Sequence, residues 1–99
     1  MRNRVAKILA EIGAGPELEG FKFWCDAVEI ISGNEKIGCD YLIRMIAGIN
    51  RTNAINVYIC LQKFVYFVEE NNLHEFKKRF KTTNVYNAIK NFIKSMEEK

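Results

Sequence analysis

The chain has one proline, one histidine and one tryptophan, and no apolar run near the roughly 20 residues a membrane span requires. Its most apolar stretch, residues 57 to 68, is interrupted by Gln62 and Lys63, which excludes a membrane-spanning role. Cysteine is sparse and unpaired. Cys25, Cys39 and Cys60 stand 14 and 21 residues apart, with no Cys-x-x-Cys pair of the kind that zinc sites and dithiol redox motifs use. Reduced thiols in a cytoplasmic protein are expected, and no metal or cofactor. The basic start Met1-Arg2-Asn3-Arg4 leads into Lys7 and Glu11 and not into the apolar centre of a signal peptide. A phosphate-cradling glycine loop is also missing. Gly13-Ala14-Gly15-Pro16 follows a helical pattern, not a strand, and puts proline where free amides are needed. His74 has no serine, cysteine or aspartate at triad or metal spacing, and the adjacent Glu69 and Glu70 diverge on a helix, so no acid–base pair forms. The chain is expected not to be an enzyme.

What is there describes a folding domain. Of 99 residues 48% are hydrophobic and the net charge is only +3, a balance that buries a core and does not leave the chain disordered. Residues 1–99 contain neither a linker nor a repeat, so one domain is expected. Val5, Ile8, Leu9 and Ile12 fall at i, i+3, i+4, i+7, an amphipathic helix that Gly13 to Pro16 stops. Phe21, Trp24, Cys25, Val28 and Ile31 repeat the pattern and end near Ser32-Gly33-Asn34. A third helix is expected over Tyr41 to Ile49 with Asp40 as its cap, because a carboxylate there accepts from the free first-turn amides. Asn50-Arg51-Thr52-Asn53 breaks the pattern, and a fourth, longest helix runs from about Asn53 to Glu70. Leu73, Phe76 and Phe80 mark a fifth helix, and Val85, Ile89, Phe92, Ile93 and Met96 a sixth. The fold class is all-α, a single six-helix bundle in which helices three and four, about residues 41–70, have the proportions of a helix-turn-helix.

At 100° per residue, Val57, Cys60, Leu61, Phe64, Val65, Phe67 and Val68 share the core-facing arc of the fourth helix. The opposite arc holds Ile55, Asn56, Tyr58, Ile59, Gln62, Lys63 and Tyr66, a mixed face that something is expected to cover. Charge is uneven as well. Residues 1–50 carry 6 basic and 7 acidic side chains and residues 51–99 carry 9 and 5, with Lys77, Lys78, Arg79, Lys81, Lys90 and Lys94 in a stretch without a carboxylate. Such a stretch suits phosphates, and equally suits a solvated helix face.

A family resemblance rests on particular residues. Ile8-Leu9-Ala10-Glu11-Ile12-Gly13, then Gly20-Phe21-Lys22-Phe23-Trp24-Cys25-Asp26-Ala27-Val28, resembles the opening of the C-terminal DNA-binding effector domain of the master regulator of sporulation initiation in Firmicutes. The likeness continues through Ile46-Ala47, Thr52, Ala54 and Val57 into the register of Leu61 and Val65, nearly the whole chain. It implies a stand-alone, divergent bacterial member with six helices and a helix-turn-helix that binds double-stranded DNA. The family's recognition helix is rich in Arg, with Glu and His. Here those places hold Asn56, Tyr58, Ile59, Gln62 and Lys63, and Asn50 stands where the family has a core aromatic.

Two functions follow as expectations. In the first, the chain is a small DNA-binding transcriptional regulator. Arg51, Thr52, Asn56, Tyr58, Gln62 and Lys63 contact bases or phosphates, and Arg44, Lys77, Lys78, Arg79 and Lys81 contact the backbone. In the second, the same fold is a protein-interaction or homodimerisation module whose contact is Ile55, Ile59 and Tyr66.

Overall fold

A computed structural model describes residues 1–97, which are helical with no strand among them. The elements are α1 (Arg2–Ile12), α2 (Phe21–Gly33), α3 (Cys39–Ile49), α4 (Ala54–Asn71), α5, which begins as one α turn (Leu73–Glu75) and continues as a π turn (Phe76–Phe80), and α6 (Val85–Glu97). The six-helix, all-α expectation therefore holds. Gly13 ends α1 at φ 94, a left-handed conformation open to a residue without Cβ. Asn53 caps α4, its side chain accepting from the Asn56 amide at 2.8 Å, and Asn84 opens α6 by accepting from the Asn87 amide. One expected cap is corrected. Gly38 starts α3 and no side chain caps it, so Asp40 lies inside the first turn, where its charge still favours the helix dipole.

The helices converge on α2, which packs against α1, α3, α4 and α6. Trp24 lies at the centre of the core, stacked between Phe64 (5.3 Å) and Phe80 (4.7 Å), with the edge of Phe92 at 5.7 Å. The π turn carries part of this cluster. Phe76 and Phe80 are both buried and contact each other, and the Lys81 amide closes the wide turn onto the Phe76 carbonyl at 2.9 Å.

Among the described residues one charged group is buried, the Asp26 carboxylate of α2. Arg2 of α1 donates to it at 2.6 Å, Lys22 at 3.2 Å, and the Asn50 amide at 2.8 Å. Burial pushes the Asp26 carboxyl up, but the bonds from Asn50, Arg2 and Lys22 outweigh it and hold it below the usual carboxylate range. A carboxyl lowered in the fold contributes stability that is fully present above its unfolded value, about pH 4, and is lost as pH falls through the folded value. The urea midpoint of the protein is therefore expected to fall as pH drops below about 4. In Asp26→Asn that acid dependence flattens, and the fold is about 2–3 kcal/mol weaker at neutral pH.

Candidate nucleic-acid interface

Helix α3, a four-residue turn and helix α4 form a helix-turn-helix-like unit at one side of the bundle. Its turn is tied down from beneath. The Asn50 side-chain amide donates to Asp26 and to the Ile46 carbonyl, both at 2.8 Å, and accepts from Lys22 at 2.7 Å. Arg51 follows in the left-handed region at φ 53, unusual for a residue with Cβ, and its side chain is exposed. The Thr52 amide then donates to the Ala47 carbonyl at 3.0 Å, while its hydroxyl accepts from the Asn56 side-chain amide at 3.1 Å. Asn50 and Asp26 were not among the sequence candidates. Their signal was present in Lys22 and Asp26 at i, i+4.

The core arc of α4 is buried as expected, apart from a half-buried Phe67. Among the described residues the opposite arc, for which a cover is expected, is open except at the half-buried Gln62. Ile55 is 73% exposed, and Tyr58, Ile59 and Tyr66 are each near half. None of the described residues closes over them. Asn56 and Lys63 flank this stripe and are exposed, with the Lys63 ammonium 4.0 Å from Glu19, a surface pair that contributes little. A groove of about 460 Å³ runs beside the stripe between α3 and α4, lined by Cys39, Asp40, Ile43, Arg44, Ile55 and Tyr58.

Other candidates divide between exposed and internally engaged. Gln62 is half-buried, and its amide donates to the Thr83 carbonyl at 2.9 Å, which fastens the 81–84 loop against the middle of α4. Lys81, two residues away in that loop, is exposed at φ 65. Lys77 and Lys78 project from the π turn into solvent. Arg79 does not join them, because its guanidinium is mostly buried, donating to Glu75 at 3.3 Å and Ser95 at 3.1 Å. It locks α5 onto α6. Arg44 and Arg51 are exposed and form no ion pair among the described residues.

The thiols are free, and burial pushes Cys25, Cys39 and Cys60 all up from the ordinary cysteine range. Among the described residues no cluster of three or more His, Cys, Asp or Glu is placed to hold a metal ion, and no helix is long and apolar enough to cross a membrane. No family model, curated protein or solved structure matches the chain.

Proposed function

We propose that the chain is a small DNA-binding transcriptional regulator whose α4 enters the major groove of double-stranded DNA. The observation that carries this is the open arc of α4, presented from a capped N-terminus and flanked by two exposed arginines, Arg44 on α3 and Arg51 in the turn. Neither arginine has an ion-pair partner among the described residues, so both are available to phosphates. Lys63 adds a third cation on α4 itself, and Lys77, Lys78 and Lys81 extend the basic surface through α5 and the following loop. Asn56 and Tyr58 carry polar atoms on the exposed face of α4, and the half-buried Thr52 lies in the turn before it. Gln62 serves this surface from below, as the tether of the loop that bears Lys81.

Charge removal tests the proposal. Arg44→Ala, Arg51→Ala and Lys63→Ala are each expected to weaken binding to any duplex, and each lowers the salt dependence by about one phosphate contact. Lys7→Ala on α1, which packs on α2, is the control and leaves binding unchanged. Loss of binding that is equal for all four sites would reject α4 as the contact.

A second reading, a protein-interaction or homodimerisation module, is favoured by one observation, the exposure of Ile55, Ile59 and Tyr66 along a single stripe. On that reading the protein sediments as a dimer at micromolar concentration and Ile59→Asp makes it a monomer. On the DNA reading Ile59→Asp leaves its mass unchanged.

A further inference from the structure

We infer that α4 selects A·T-containing DNA by seating Ile55 and Ile59 against thymine methyl groups in the major groove. This rests on the DNA-binding reading and names the class of duplex that the site takes. Guanine is read most often by a bidentate guanidinium or by lysine, and α4 contains no arginine and a single lysine. Glutamine would read adenine, but Gln62 is held by Thr83. The exposed side chains that remain at the N-terminal half of α4 are Ile55, Asn56, Tyr58 and Ile59, followed by Lys63. Isoleucine offers only apolar contact, whose complement among base edges is the thymine C5-methyl, while the Asn56 side-chain amide is engaged within the chain like that of Gln62, donating to the Thr52 hydroxyl at 3.1 Å.

The surroundings favour a duplex as the occupant of this apolar stripe. Exposed cations stand around it, with Arg51 before the helix, Arg44 across the groove that Ile55 helps to line, and Lys63 one turn beyond Ile59. Spacing makes the inference more definite. Ile55 and Ile59 are i, i+4 neighbours about 6 Å apart along the helix axis, close to two base-pair steps of about 3.4 Å. The two thymine methyls should therefore lie within about two base pairs of each other.

The test uses the full chain and begins with selection of bound duplexes from a randomised pool. Enriched sequences should share thymines at that spacing. Each such thymine is then replaced by deoxyuridine, which removes only the methyl group. Affinity should fall about fourfold per replacement, the equivalent of one buried methyl. In Ile59→Ala one of the two replacements should lose its effect, while the salt dependence, carried by the cations, stays. Enrichment of G·C-only sites, or unchanged affinity in the deoxyuridine duplexes, would overturn the inference and leave DNA binding standing. Failure to bind any duplex at low salt would overturn both.

Discussion

Trp24→Ala is expected to lower the unfolding free energy by about 4–5 kcal/mol, the upper range for removal of a buried aromatic. For a chain of this size that is a large part of a total of about 5–15 kcal/mol. Trp24 is fully buried and three other rings depend on it, Phe64 of α4, Phe80 of α5 and Phe92 of α6. The cavity cannot close cheaply, because collapse toward it would pull three helices at once. Trp24→Phe should cost clearly less. The buried indole N–H finds no acceptor among the described residues, so phenylalanine removes an unsatisfied donor along with part of the ring. Urea unfolding of the three proteins, followed by far-ultraviolet circular dichroism, gives the order wild type, Trp24→Phe, Trp24→Ala.

Gly20→Ala is the second large effect, although it adds a single methyl group. A Cβ at Gly20 would lie 2.6 Å from the Cys60 carbonyl oxygen and 2.7 Å from Phe64 Cβ. The first of these is backbone and cannot turn aside, so α2 and α4 must separate. Overpacking of this kind costs about 1–3 kcal/mol, and the upper end is expected here because backbone must move. On the proposed function the displaced element is the DNA-contacting helix, so Gly20→Ala should also weaken DNA binding under conditions where the variant is still folded. Gly13→Ala makes the comparison: its Cβ would meet nothing within 4 Å, and its cost is confined to the left-handed φ of 94. It should leave DNA affinity unaffected.

Gly20 also illustrates what the sequence makes legible. It is the glycine of the Gly-Phe-Lys-Phe-Trp stretch, and its need is the close approach of α4, a contact between residues 40 apart in the chain. Helix positions were readable because apolar residues recur at the helical period and because Gly13 and Asn53 are strong end signals. The π turn was not, since Phe76 and Phe80 at i, i+4 look like any α-helical pair. The buried Asp26 was hidden for a related reason. A carboxylate on an amphipathic helix is ordinarily solvated, and its partners Arg2 and Asn50 are each 24 residues away. Among the candidate contacts, exposure of Arg44, Arg51, Asn56, Lys63, Lys77, Lys78 and Lys81 agrees with helical phase and charge alone. Gln62 and Arg79 differ because each meets a distant partner, Thr83 and Ser95, that periodicity cannot place. The open Ile55–Ile59–Tyr66 stripe was legible as apolar, and among the described residues no other element of the chain reaches it, which leaves its cover to another molecule.

The most direct measurement is a fluorescence-anisotropy titration of the purified protein against a labelled random-sequence duplex at about 50 and 200 mM salt, the range over which phosphate contacts are strongly weakened. With four to six cations on phosphates, the affinity should fall by a factor of about 10² to 10³ between the two conditions. Binding that ignores salt, or no binding at low salt with protein at tens of micromolar, would contradict the placement of α4 in DNA.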